Sequence, residues 1–333
     1  GRFDEAAIDE YFEKWRGRFD LFDPERPFYQ DPDLDESEPD RSAANRLITG
    51  TDPTDTLFEH STNPKKERDR WEPISAAEAA RRLIAIQVCA ISGGRGYYKM
   101  PFAEGVVVMP QGENLFETLT LNTLPAEERD EFLQPAGTAV WQQDNSPFDR
   151  KGLPRGYQQF LTWLPRRVRL YPQVNGSVQT ISIAAGPQLM LPEHCFEPWL
   201  AYVERSKGPM PLGFGDDRAV WRDSEAILRF SGQDDEKGRI PSILRFVRDL
   251  EMEGMLDRPV IGLVAAGQRA SNAKVFFTRY ERLPLPLAYL IDSDLVARIS
   301  LGIEAAEDVA YSLKRATKDA VTELLDPTNH RPD

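Results

Sequence analysis

Apolar residues recur along this chain at two spacings: three to four residues apart for helices, two apart for strands. Within residues 4–16, Ile8, Tyr11, Phe12 and Trp15 fall on one helical face, and Gly17 ends the pattern. A helix over 75–91 opens on Ser75-Ala76-Ala77-Glu78, a capping-box pattern. Its apolar face is predicted as Leu83, Ile84, Val88 and Ile91 above Ala76, Ala79 and Ala80. Further helices are predicted over 114–124, 221–230 and 242–256, the last turning Ile243, Phe246, Val247 and Leu250 inward. Strands are predicted over 105–110 and 165–172, the second with Arg167 and Arg169 on alternate positions, and 173–190 reads as a hairpin through Asn175-Gly176.

The longest pattern runs over 294–325, where Ile299, Ile303, Ala306, Ala310, Leu313, Thr317, Ala320 and Leu324 alternate spacings of four and three. Asp294 can cap this helix and Pro327 stops it. At 1.5 Å per residue it is roughly 48 Å long. A single such helix cannot bury its own stripe, so a bundle is implied. The chain is expected to end before the partner helices. It also begins without Met just ahead of an amphipathic pattern, so it reads as a piece of a longer protein.

Residues 260–283 differ from their surroundings. An apolar run, Val260 to Ala265, leads into Gly267-Gln268-Arg269-Ala270-Ser271-Asn272-Ala273 and returns as Lys274-Val275-Phe276-Phe277-Thr278-Arg279-Tyr280. This is a hairpin signature, with a turn expected to be longer than two residues and to project as a finger. Between Ile261 and Leu283 stand Arg269, Lys274, Arg279 and Arg282 against the single anion Glu281, a net charge of +3 in a chain of net charge −13. A basic finger on an acidic protein argues for one local anion site and against general nucleic-acid coating.

The connecting segments are informative in different ways. The aromatic, proline-broken stretch Phe19 to Gln30 reads as a core-anchoring loop. Residues 31–40 hold six acids and two prolines and read as a solvated linker or mobile loop. After the second helix, Ser92-Gly93-Gly94-Arg95-Gly96-Tyr97-Tyr98-Lys99 places three glycines within four residues. Glycine lets backbone approach a ligand closely; a plain helix cap and turn is the alternative. The segment follows a helix and lacks the ending of a phosphate-binding Walker loop. A further turn, Arg205-Ser206-Lys207-Gly208, carries two cations.

Candidate enzyme chemistry is sparse. Cys89 and Cys195 are far apart, which argues against a disulfide framework and a cysteine zinc site and suits a reducing, cytoplasmic setting. No metal site and no cofactor are expected. A hydrolase would have to be built around Glu59, His60 and His194. A pure protein-interaction scaffold is the third possibility.

An ordered series of segments resembles one family, the large subunit (CasA) of type I-E CRISPR Cascade complexes. It comprises Phe19-Asp20-Leu21-Phe22 with Pro27-Phe28-Tyr29-Gln30, then Thr56-Leu57-Phe58-Glu59-His60 and the glycine segment. Asn114 to Leu119, Trp163 to Leu170 and Asp217 to Asp223 complete it. The resemblance implies an α+β fold: a mixed α/β DNA-recognition domain over 1–285, then the first helix of a C-terminal helical bundle over 286–333. It implies a non-catalytic subunit of an RNA-guided antiviral complex. Such a subunit recognises the protospacer-adjacent motif in double-stranded DNA through the minor groove, promotes strand opening and helps recruit a nuclease-helicase, while guide pairing reads the remaining sequence. The implied partners are target double-stranded DNA, the guide-RNA ribonucleoprotein subunits of Cascade and the nuclease-helicase, with no membrane. Carried over residue by residue, the family's glycine loop falls on Gly93, Gly94 and Gly96, with Lys99 beyond it. Its hairpin wedge falls on Asn272 between Ser271 and Ala273, flanked by Arg269 and Lys274. Some members have glutamine at the wedge, one methylene longer. The family's lysine finger falls on Lys207 or Arg205, and its guide-end loop on residues 47–56, which carry Asp52 and Asp55 here.

Overall fold

The computed structural model describes residues 1–35, 41–47, 71–92, 96–103, 105–126, 137–144, 146–149, 152–192, 195–215, 219–228, 238–271 and 274–325. Its helices are α1 (Glu5–Trp15), α2 (Ala76–Val88), α3 (Leu115–Leu121), α4 (Tyr157–Leu161), α5 (Ser224–Leu228), α6 (Ser242–Met252), α7 (Ala288–Ile291) and α8 (Ser293–Leu325). Its strands are β1 (Arg41–Ala43), β2 (Val107–Gln111), β3 (Arg166–Pro172), β4 (Val178–Ala185), β5 (Tyr202–Arg205), β6 (Gly208–Pro211), β7 (Gly238–Arg239), β8 (Val260–Ser271) and β9 (Lys274–Pro286). They form three antiparallel sheets, β1-β4-β3, β2-β8-β9 and β6-β5-β7. Helices and antiparallel sheets together make the expected α+β fold.

Two main clusters among the described residues form most of the core, beside a small third one of Ala90, Met100 and Trp163. The larger packs Val108, Leu263, Ala265 and Leu285 of the β2-β8-β9 sheet against Ile227, Ile243, Leu244, Val247 and Leu290. The smaller packs Val168, Leu170, Ile181 and Ile183 of the β1-β4-β3 sheet against Ala79 and Leu83 of α2 and against Leu47. Caps set the helix starts: the Ser75 hydroxyl accepts from the Glu78 amide (3.2 Å), and the Asn114 side chain accepts from the Glu117 amide (2.9 Å).

α2 is rotated from its predicted face and ends at Val88 rather than Ile91. Ala79, Leu83 and Gln87 are buried, while Ile84 stays 41% exposed. Gln87 faces inward because its amide pairs with the start of β3. It donates to Arg166 O (3.0 Å) and accepts from Arg166 N (3.1 Å), like one more rung of a ladder.

The acidic stretch after Gln30 is not a solvated linker where it is described. Asp31 is 1% exposed, ion-paired with Arg167, and its amide donates to Val168 O (2.8 Å). Leu34 is buried too, and its carbonyl accepts from the Tyr171 hydroxyl (3.2 Å). Pairing with Arg167 offsets the burial of this one acid, which its acidic neighbours obscure in the composition. The preceding aromatic loop packs as expected, Phe19, Phe28 and Tyr29 meeting Trp141 at centroid distances of 5.6, 6.0 and 5.9 Å.

α8 spans 33 residues, and its two buried side chains among those described are Val296 and Ile303. Farther along, Leu313, Val321 and Leu324 are exposed. No helix among the described residues is long and apolar enough to cross a membrane.

Candidate nucleic-acid interface

The finger is longer and tighter than expected. β8 and β9 pair continuously from Val260↔Pro286 to Ser271↔Lys274, with one register shift at Arg269/Ala270. Only positions 272 and 273 lie between the strands, so the predicted seven-residue turn is corrected. At 3.4 Å per residue, twelve residues of β8 reach about 40 Å. Gly267 is not a turn glycine. It sits opposite Arg279, and a Cβ there would collide with the Gly105 carbonyl oxygen and meet Phe214 at 3.1 Å. Close approach of two backbones requires glycine at this position.

The two faces of β9 differ. Phe277, Arg279, Glu281 and Leu283 turn toward the body of the protein. Arg279 donates to Gly215 O (3.2 Å), and Glu281 accepts from Val220 N (3.0 Å). The hairpin's single anion is thus turned inward. Phe276, Thr278, Tyr280 and Arg282 face outward, with Phe276 63% and Tyr280 57% exposed. Arg282 stacks on the Tyr280 ring at 5.7 Å and donates to its hydroxyl (2.8 Å). This outward stripe of rings and one cation went unnoticed in the sequence, although strict alternation along the strand marks it.

The residues on either side of the glycines are held by Arg166, which the sequence-based expectations do not single out. Arg166 is 3% exposed. Its guanidinium donates to Ile91 O on one side of the glycines and to Tyr98 O (3.0 Å) on the other, and also to Pro165 O (2.9 Å). It lies 5.0 Å from the Tyr97 ring centroid. Burial pulls its pKa down to about 10, still cationic at neutral pH. Arg166 shares parity with the buried Val168 and Leu170, and that pattern could have identified it. Gly96 lies at φ +83°, and a Cβ there would press on Ala185 at 3.3 Å.

One bond joins the two candidate parts. Gln268, 3% exposed within β8, donates to Cys89 O (2.9 Å) at the C-terminal cap of α2, just ahead of the glycine segment. Hairpin and glycine-segment stem are therefore anchored to each other.

The remaining predicted residues fall as follows. Lys99 is exposed two residues past Tyr97. Arg269, also exposed, donates to Phe214 O (3.0 Å), so it braces the hairpin as well as flanking its end. Ser271 and Lys274 close the ladder as a pair. Arg205 and Lys207 stand exposed together at the tight β5–β6 turn, where Gly208 has φ +98°. That turn belongs to a different sheet from the long hairpin. Gly93, Gly94, Asn272, Ala273, residues 48–56, Glu59, His60 and His194 lie outside the described residues. Among the described residues, no group of three or more His, Cys, Asp or Glu side chains is placed to hold a metal ion.

These features define a class: an α+β protein in which a buried arginine and a glutamine of a long basic hairpin fasten the residues that flank a glycine-rich segment. The family model for CRISPR-associated protein Cse1 matches residues 1–330, and the chain belongs to that family, also called CasA. A CasA/Cse1 protein from Thermus thermophilus is 30% identical over 98% of this chain and 64% of its own length. The crystal structure of Cse1 from Acidimicrobium ferrooxidans is 26% identical, with a TM-score of 0.72 over 94% of this chain and 62% of that one. A chain of a structure described as a CRISPR RNA-guided surveillance complex is 27% identical, with a TM-score of 0.75 over 97% of this chain and 67% of that one. The chain thus spans somewhat less than two thirds of the length of the first two relatives.

Proposed function

We propose that the protein is the non-catalytic large subunit of a Cascade-type, RNA-guided complex, and that it reads a short motif in target double-stranded DNA. One observation carries this reading. A long hairpin with a ring-and-cation outer face is tied by Gln268 to the helix end that leads into the glycine segment. The minor groove offers a degenerate pattern of acceptors, which suits backbone amides and one cation better than a set of side chains. The glycine segment, with Gly93, Gly94 and Gly96, supplies the amides, and Lys207 or Arg205 supplies the cation. The hairpin end, with Asn272 between Ser271 and Ala273 and with Arg269 and Lys274 beside it, acts as the wedge. A wedge that unstacks one base step costs a few kcal/mol and begins strand opening. The exposed rings of Phe276 and Tyr280 offer stacking surfaces to a base released by that opening.

In this reading residues 1–285 form the DNA-recognition domain, and α8 is the first helix of a bundle whose other helices cover Leu313, Val321 and Leu324. The partners are the guide-RNA ribonucleoprotein and the nuclease-helicase that degrades the opened target. The test is binding of the reconstituted complex to a library of duplexes randomised beside the guide-matched sequence. Enrichment of a short motif, lost when Lys207 and Arg205 are both replaced by Ala, supports the reading. Motif choice unchanged in complexes lacking this subunit contradicts it.

A further inference from the structure

A cavity of ≈ 200 Å³ opens between the end of α2, the Met100–Phe102 segment, β2 and α4. Its walls are mostly apolar and include four rings, Phe102, Phe160, Trp163 and Trp199. Both indole N–H groups are engaged elsewhere: Trp163 donates to Pro187 O (3.0 Å) and Trp199 to the Asn122 side chain (3.2 Å). That fixes the rings and leaves their carbon surfaces for the cavity. Gln87 reaches the wall too, but its amide is held by the Arg166 backbone.

Among the described residues, the one ionisable side chain lining this space is Glu197. It is 4% exposed, and its Oε1 has no hydrogen-bond partner among the described residues. Its backbone is fastened instead: the amide donates to the Tyr202 hydroxyl (3.0 Å), and the carbonyl accepts from Leu200 N (3.1 Å). Buried polar atoms without a partner are rare and call for an explanation. A dry apolar cavity of about 150 Å³ already admits benzene. This one is larger and adds a carboxyl group to a wall of rings. Aromatic faces attract cations, most strongly where water is excluded.

We propose that this cavity binds a small organic ammonium ion, its apolar body against Phe160 and Trp163 and its charged end on Glu197. Burial holds the carboxyl well above the ordinary carboxylate range, which favours the protonated acid. Tyr202 is the titratable group beside it, and burial raises its hydroxyl as well. An arriving ammonium ion stabilises the carboxylate, and the proton leaves to solvent. Binding therefore carries a proton-release signature that a simple apolar void lacks.

Isothermal titration calorimetry with 2-phenylethylammonium, in two buffers of different ionisation enthalpy at neutral pH, reads affinity and proton release together. The expected result is a single site that releases a large part of one proton and prefers the amine over 2-phenylethanol by about tenfold or more. Glu197→Gln should keep the alcohol and lose both the preference and the proton. Leu161→Trp, at a wall position that is 45% exposed, should weaken both ligands and keeps the test available if the first variant does not fold. Equal affinity for amine and alcohol, no heat with either, or amine binding that survives both variants would overturn the proposal.

Discussion

Replacing Arg166 with Met removes the clamp beneath the glycine segment while keeping much of its length. Three carbonyls, of Ile91, Tyr98 and Pro165, lose a charged donor. Hydrogen bonds to a charged group contribute about 1.5–3 kcal/mol each, so the set contributes about 5–9 kcal/mol. Against this stands the cost of burying the cation. Burial depresses the guanidinium to about 10, which corresponds to a cost of about 3 kcal/mol that Met does not incur. The net destabilisation expected is about 2–6 kcal/mol. Urea unfolding should show a lower midpoint with an unchanged slope, because the surface exposed on unfolding barely alters. Hydrogen exchange should accelerate at the amides of Ser92, Tyr97 and Tyr98 while the middle of β8 keeps its protection. A loss below about 1 kcal/mol with unchanged exchange at those amides would refute the clamp.

Two further outcomes follow from the hairpin. Gly267→Ala places a methyl group against the Gly105 carbonyl and the Phe214 ring, and should cost about 1–3 kcal/mol in thermal or urea unfolding; a neutral result would mean the two backbones separate easily. Phe276→Ala with Tyr280→Ala removes exposed rings and one exposed contact with Arg282, so stability should stay within about 0.5 kcal/mol. Binding of the assembled complex to opened DNA should nevertheless weaken by about 1–3 kcal/mol per stacked base, measured by fluorescence anisotropy.

Much of the fold was legible because its signals are local. Ser75 and Asn114 mark helix starts by a side-chain hydrogen bond three residues on. β8 and β9 announce themselves by β-branched and aromatic runs. What remained illegible depends on what lies across the fold. Gly267 looks the same in sequence whether it turns the chain or admits another backbone, and only Gly105 decides between these. Gln87 reads as a solvent-facing position until β3 presents two backbone groups to its amide. Asp31 was hidden by the acids around it, and Glu197 by a loop with no periodicity to orient it. Arg166 is different: its parity with Val168 and Leu170 was visible, and the cations on the opposite face drew attention away. The candidate DNA-binding residues came from family resemblance, since no spacing in the chain singles out Asn272 or Lys207.

Under the proposed function, the hairpin end and the glycine segment act on closed duplex. Affinity of the reconstituted complex should be measured for a motif-bearing duplex and for the same sequence opened in advance as a bubble, with and without Asn272→Ala plus Gly94→Asp. The expected result is a large loss on the duplex and little change on the bubble, because only the closed duplex needs to be read and opened. Equal losses on both substrates would contradict it.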